Sequence, residues 1–256
     1  MRNRAPAGKN AAEAAPEKTV ERVGDLLIAQ PARGYRYGLD PFLLADFVRP
    51  RLREGVVDLG TGCGVIALLL ARRWKTLKVW GVELQPELFH LAEENIRSNG
   101  LERRCSIVHG DARDIADRLP AGSIRRVVAN PPFRPAAAGR VCPEPQRALA
   151  RQEIAFSLDD LAGTAASLLD HGGILDFIHL PERLPEIFRA LTERRLEPKR
   201  MRLVHSFGDS APELALLSAR KGGRPGLSTE PPLIVFRRKG EYTPEVKAAF
   251  RTSIPP

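Results

Sequence analysis

From Val56 onward, short apolar runs alternate with longer stretches whose apolar residues recur at helical spacing. Val56-Val57-Asp58-Leu59-Gly60 is compact, apolar and closed by glycines, the pattern of a strand buried on both faces of a parallel sheet. Residues 65–74 are apolar nearly all round and predict a helix packed on that sheet. The run 78–84 predicts the next strand. Residues 86–99 predict the next helix, with Pro86 in its first turn, Gly100 as its stop and an inner face of Leu88, Leu91, Ala92 and Ile96. Runs at 105–109 and 126–129 continue the strands. Ser157 and Asp160 have the spacing of a capping box, opening a helix that faces inward with Leu161, Ala165, Leu168 and Leu169 and stops at His171-Gly172-Gly173. A strand at 174–180, a helix at 184–196 and a closing hairpin of 201–207 with 214–219 complete the pattern.

This alternation predicts an α/β fold with a doubly wound, mostly parallel sheet and an antiparallel edge hairpin. Ligands on such sheets bind outside the carboxyl ends of the strands, and every unusual residue cluster of this chain falls at such an end. Residues 1–20 carry almost no large apolar side chain and are expected to be a flexible tail; 21–256 are expected to form a single domain.

Composition narrows the class. No stretch of the 256 residues approaches the ~18–20 apolar residues of a spanning helix. The opening residues lack the apolar core of a secretory signal, so a soluble, cytoplasmic protein is expected. Cys63, Cys105 and Cys142 lie far apart, and His90, His109, His171, His179 and His205 lack ligand spacing, so neither a disulfide framework nor a metal site is expected. A formal charge of +9 favours polyanionic partners. With only 6% aromatic residues, a base-stacking sheet is not expected.

The first cluster is Asp58-Leu59-Gly60-Thr61-Gly62-Cys63-Gly64. Its glycines allow a tight turn and let backbone N–H groups approach a ligand. Residues 62–67 also satisfy the dinucleotide pattern GxGxxA, so an NAD-type site competes with a plain turn and with a cationic ligand. Asp58 tilts the choice to the cation, because a pyrophosphate gains nothing from a carboxylate. Glu83 closes the second strand, where a carboxylate can accept both hydroxyls of a ribose, and Asp111 closes the third, within reach of an adenine amino group. Asp114 reads as a helix-start residue. The fourth strand ends in Asn130-Pro131-Pro132-Phe133. There the Asn130 side-chain oxygen and the Pro131 carbonyl can each accept one N–H of a planar amine, while Phe133 offers a face for its ring.

In order and spacing, DLGTGCG, Glu83, Asp111 and NPPF resemble the motifs of S-adenosylmethionine-dependent amino-methyltransferases, which implies their seven-stranded Rossmann-like fold, class I of the methyltransferases. The segment Gly34-Tyr35-Arg36-Tyr37-Gly38-Leu39-Asp40-Pro41-Phe42-Leu43-Leu44-Ala45 is similar to the opening of the bacterial tRNA adenine-N6 methyltransferases, which modify the adenine beside the anticodon of a valine tRNA. The stretch from Leu233 to Val246 is similar to that family's ending. The resemblance implies S-adenosylmethionine as cofactor, tRNA as substrate, and residues 21–54 as an extension covering the site. It implies a cofactor site of Asp58, Gly60, Thr61, Gly62, Gly64, Glu83, Leu84, Asp111, Ala112 and Asn130, with Tyr37, Gly38 and Asp40 beside it. Asn130, Pro131 and Phe133 would carry the catalytic geometry.

Arg134, Arg140, Arg147 and Arg151 follow the tetrapeptide and are expected to hold the RNA backbone at the mouth of the site. Rival readings are a protein-glutamine N5-methyltransferase, a ribosomal-RNA guanine-N2 methyltransferase and a catalytically silent RNA-binding protein. The first is disfavoured by the short stretch before Val56, the second by the lack of a duplicated domain, and the third by an intact Asn130.

Overall fold

The computed structural model describes residues 17–34, 36–119, 124–131 and 156–251. In chain order these form β1 (Lys18–Val23), β2 (Leu26–Pro31), α1 (Asp40–Phe47), β3 (Gly55–Leu59), α2 (Val65–Arg73), β4 (Lys78–Glu83), α3 (Pro86–Ser98), β5 (Cys105–His109) and β6 (Ile124–Ala129). They continue as α4 (Leu158–Leu168), β7 (Ile174–His179), α5 (Leu184–Glu193), β8 (Leu196–His205) and β9 (Pro212–Lys221). Last come β10 (Ser228–Thr229), β11 (Leu233–Ile234), β12 (Phe236–Arg238), β13 (Glu241–Tyr242) and α6 (Pro244–Ala249).

The central sheet runs β10-β8-β9-β7-β6-β3-β4-β5, with β11 also paired to β8. Strands β7, β6, β3, β4 and β5 are parallel, and β9 lies antiparallel between β7 and β8. The seven long strands and the antiparallel edge hairpin are those expected. β10 and β11 are two-residue additions that pair parallel to β8 on its outer side. Pro231 and Pro232 stand between them and cannot donate ladder bonds, which keeps this edge broken.

One face of the sheet is covered by α1, α2 and α3, whose core includes Leu43, Leu44, Leu69, Leu70 and Leu91. The other is covered by α4 and α5, with Leu161, Ala165, Ile187 and Leu191. The capping box at the start of α4 is present, Ser157 accepting from the Asp160 N–H and Asp160 accepting from the Ser157 N–H.

Several boundaries differ from expectation; β8 and β9, for instance, begin at Leu196 and Pro212 where 201 and 214 were expected. Lys18–Val20, placed by sequence in a flexible tail, pair with β2 as part of β1. The helix expected to reach Leu196 ends at Glu193 because Arg195 takes a left-handed conformation, φ 56°, and Leu196 opens β8. The β1–β2 hairpin is fastened to α3 by buried Asn95, whose side chain accepts from the Ala29 N–H at 2.7 Å and donates to the carbonyls of Ala29 and Cys63 at 2.8 Å. One amide thus joins the hairpin, α3 and the glycine loop.

Register sets the site. Leu59 stands between Val82 and Ala129, and Glu83 pairs with His109. The turns that follow β3, β4, β5 and β6 therefore leave the same edge of the sheet side by side. The strand order reverses between β3 and β6, which makes this edge the switch point where doubly wound sheets take ligands.

Candidate active site

At that edge lies a cavity of about 370 Å³, within the ~300–1,000 Å³ of small-molecule sites. Its floor is the glycine loop after β3. Gly60, Gly62 and Gly64 have φ of 68°, 59° and 86°, which L side chains rarely adopt. Gly64 caps α2, and a Cβ there would lie 3.3 Å from the Ala92 Cβ, so this glycine also sets how closely α2 approaches α3. The loop is pinned from below: the Thr61 N–H donates to the Val82 carbonyl at 2.9 Å and the Gly62 N–H to Glu83 Oε2 at 2.9 Å. Thr61 Oγ1 donates to Asp58 Oδ2 at 2.5 Å.

Glu83 braces this loop and faces the cavity. Its second oxygen accepts from the Gln85 N–H at 2.8 Å. Burial raises its carboxyl above the usual range, and the Gln85 and Gly62 N–H groups oppose that shift. The Leu84 N–H opposes it as well. Leu59, Val82, Leu88 and Phe156 give the cavity apolar walls, and Leu84 and Ala112 also line it.

The opposite wall is the segment 34–40, contributed by Gly34, Arg36, Tyr37, Gly38 and Asp40. Glu21 of β1 fastens it, Oε2 accepting from the Tyr37 hydroxyl at 2.9 Å and Oε1 from Arg36 and Gln30 at 2.8 Å each. Burial, then the Glu21 bond, pushes the Tyr37 phenol well above its usual range. Asp40 opens α1; burial raises its carboxyl, against an opposing hydrogen bond from its own backbone N–H. Asn130 and Pro131 follow β6 and complete the wall beside the glycine loop. The Asn130 side chain makes no hydrogen bond to a described residue, which leaves its oxygen open to a ligand.

The family model of the methyltransferase small domain matches residues 40–144. A tRNA1(Val) (adenine(37)-N6)-methyltransferase of Porphyromonas gingivalis is 30% identical over 227 residues, 85% of this chain and 88% of the relative. This chain belongs to that family. A predicted O-methyltransferase of Agrobacterium tumefaciens, 22% identical, shares the fold over 83% of this chain and 96% of its own, with a TM-score of 0.65. TYW2 of M. jannaschii, solved with AdoMet, is 17% identical over 81% of this chain and 88% of its own, with a TM-score of 0.55.

Of the residues that the family resemblance implied, the structure brings Tyr37, Gly38, Asp40, Gly60, Gly62, Glu83, Leu84, Asp111, Ala112, Asn130 and Pro131 to one cavity. Three others stand behind it. Asp58 is 0% exposed beneath the loop, and its carboxyl is pushed up to about 7 by burial, against the opposing Thr61 bond. It does not line the cavity, where the sequence placed it against a cationic ligand; instead it accepts from Thr61 beneath the loop. Thr61 faces that anchor, and Gly64 faces Ala92.

Asp111 lines the cavity, but both its oxygens are held by Arg113, whose guanidinium and N–H keep the carboxyl below the usual range. Asp111 also caps the short helical turn Ala112–Asp114, the role assigned by sequence to Asp114. Phe133, Arg134, Arg140, Arg147 and Arg151 lie outside the described residues. Arg36, Gln85, Gly110 and Phe156 line the cavity without having been singled out. Arg36 lay within a quoted motif, whereas nothing near Phe156 marked it. Among the described residues, no group of three or more His, Cys, Asp or Glu is placed to hold a metal, and no helix is long and apolar enough to cross a membrane.

Proposed function

We propose that this chain transfers a methyl group from S-adenosylmethionine to the N6 amino group of an adenine in tRNA, the adenine at position 37 in the names of its relatives. The observation that carries this reading is Asn130-Pro131 at the end of β6, opening onto the same cavity as the glycine loop and Glu83, with no hydrogen bond from the Asn130 side chain to a described residue. The cavity fits the cofactor by the chemistry of its donors. A buried carboxylate faces open space above Gly60, where a Cβ would meet nothing within 4 Å, and apolar walls suit a purine. Glu83 would hold the ribose hydroxyls and Leu84 and Ala112 would flank the adenine. Asp40, a cavity carboxyl without an ion pair among the described residues, would face the ammonium.

S-adenosylmethionine supplies a methyl group on a positively charged sulfur and leaves as S-adenosylhomocysteine. The chain's own task is to make a poor nucleophile competent. The adenine amino lone pair is delocalised into the ring. Asn130 Oδ1 accepts one N–H and the Pro131 carbonyl the other, which draws the nitrogen towards tetrahedral geometry and frees its lone pair for attack. Pro131 restricts the backbone at the accepting carbonyl. The surplus proton leaves the alkylated nitrogen afterwards, to water, so no strong base is required.

Nucleoside mass spectrometry of tRNA treated with the protein and methyl-labelled cofactor tests the reading. Label in N6-methyladenosine is the expected result; label in another nucleoside, or in protein glutamine instead of RNA, contradicts it.

A further inference from the structure

We propose that the β12–β13 hairpin is a docking arm for the phosphate backbone of the RNA substrate, held in fixed relation to the cavity by a row of aromatic rings. The inference rests on the functional reading above and adds a binding surface to it.

Position comes first. β8 runs in the direction of β7, since both are antiparallel to β9, so its carboxyl end lies at the cavity edge of the sheet. β11 runs parallel to β8, with Ile234 beside His205. The chain then turns out over that edge, the Phe236 N–H donating to the Ser206 carbonyl at 2.9 Å. β12 and β13 stand there as a separate two-stranded ribbon.

The ribbon is rigidly joined to the cavity. Phe207 contacts Phe236 at 5.7 Å between ring centroids, and Phe236 stacks on Tyr242 at 5.0 Å. Tyr242 meets Phe250 at 5.5 Å, Phe250 meets Phe42 at 4.9 Å, and Phe42 meets Tyr37 at 5.9 Å. Tyr37 is the cavity wall itself. Such ring contacts favour fixed mutual orientations. Thr243 closes the base of the ribbon, its N–H donating to the Val235 carbonyl at 2.9 Å and its hydroxyl to the Ile234 carbonyl at 2.7 Å.

Charge supplies the partner. The tip reads Phe236-Arg237-Arg238-Lys239-Gly240-Glu241, turning through Gly240 at φ 80°. Arg238 is engaged by Glu241 at 2.6 Å across the turn. Arg237 and Lys239 are exposed and have no ion pair among the described residues. Exposed cations without an ion pair among the described residues, on a turn beyond the cavity edge of the sheet, suit a polyanion. Lys and Arg held this way contact phosphates, fixing the orientation of a nucleic acid without reading its sequence. Exposed Arg33, next in sequence to the cavity residue Gly34, is also without an ion pair among the described residues.

The test is tRNA binding by the full-length protein across a salt series, for the wild type, Arg237→Glu/Lys239→Glu and the charge-conserving Arg237→Lys/Lys239→Arg. The reversed variant should bind tRNA at least about tenfold more weakly at ~0.1 M salt, with the slope of log K against log salt shallower by about 1–2. The charge-conserving variant should match the wild type, and S-adenosylmethionine affinity without RNA should be the same in all three. A reversed variant with wild-type affinity and slope, in a protein that methylates tRNA, overturns the docking arm alone. A wild-type protein that neither binds nor methylates tRNA overturns the functional reading and this one with it.

Discussion

In the amino-terminal half of the sheet, Arg126 of β6 uses all its guanidinium nitrogens, pairing with Glu54 at 3.1 Å and with Asp176, and donating to the Arg49 carbonyl at 2.8 Å. Four residues on, just past the carboxyl end of the same strand, the Asn130 side chain makes no hydrogen bond to a described residue, and across the cavity Asp40 has no ion pair among the described residues. Both regions are polar features of one apolar scaffold, yet one is closed upon itself and the other is open. A buried polar group costs free energy unless it is hydrogen-bonded. In the closed region every guanidinium nitrogen of Arg126 is engaged within the chain, although Asp176 Oδ1 has no hydrogen-bond partner among the described residues; the open region faces the cavity. That contrast separates structural polar residues from working ones at this sheet, and it also sorts the carboxylates of the site. Asp111 belongs with the closed group. Asp58 is held by Thr61 through Oδ2 alone, its buried Oδ1 having no hydrogen-bond partner among the described residues. Asp40 faces the cavity, and Glu83 both braces the loop and faces the cavity.

The contrast is most strongly broken by Arg126→Ala, which leaves Asp176, 0% exposed, and Glu54 without their cation. Urea unfolding should show a loss of about 3–5 kcal/mol, with the cofactor affinity of the folded protein unchanged. A stable variant that binds the cofactor poorly would reverse the assignment.

Asp58 sharpens it through pH. The folded carboxyl keeps its proton to about pH 7, whereas the unfolded chain releases it near its ordinary 3.8, so folding takes up a proton between these values. This contribution is complete at low pH and is lost as pH rises through about 7. Relative to Asp58→Asn, the wild type should lose on the order of 2–4 kcal/mol of stability between pH 4 and pH 8. Parallel curves for the two proteins would show that Asp58 is ionised in its buried site.

Gly64→Ala combines a left-handed backbone with a 3.3 Å approach to Ala92. A cost of about 2 kcal/mol in thermal or urea unfolding is expected, together with weaker cofactor binding as the loop shifts. An unaltered protein would mean that α2 can move off α3 freely.

Glu21→Gln has the smallest effect, because this ion pair with Arg36 is partly exposed. Cofactor affinity should fall severalfold, equivalent to about 0.5–1 kcal/mol, with little change in melting temperature. Loss of stability without loss of affinity would place Glu21 outside the support of the cavity wall.

The alternation of strands and helices was legible because each element carries its own period, and the site's edge followed from it. The β1–β2 hairpin was not legible: β1, KTVERV, is exposed on nearly every residue and shows no buried face. α1 hid for the opposite reason, being short and buried on six positions from Pro41 to Phe47, so that its pattern has no polar side. The end of α5 was overrun because Arg195 makes the left-handed turn that a glycine would have signalled. Within the site, Glu83 and Asn130 were readable as strand-end residues. The inward position of Asp58 and the capture of Asp111 by Arg113 depend on neighbours that only the folded chain supplies.

Methyl transfer to tRNA by the wild type and by Asn130→Ala, with cofactor affinity measured alongside, addresses the open end of the sheet most directly. Loss of one of two acceptors on the reacting amine should lower the rate by about 10²–10³-fold and leave both cofactor binding and the melting temperature near those of the wild type. Equal rates for the two proteins would contradict the role given to Asn130, and with it the account of how this cavity works.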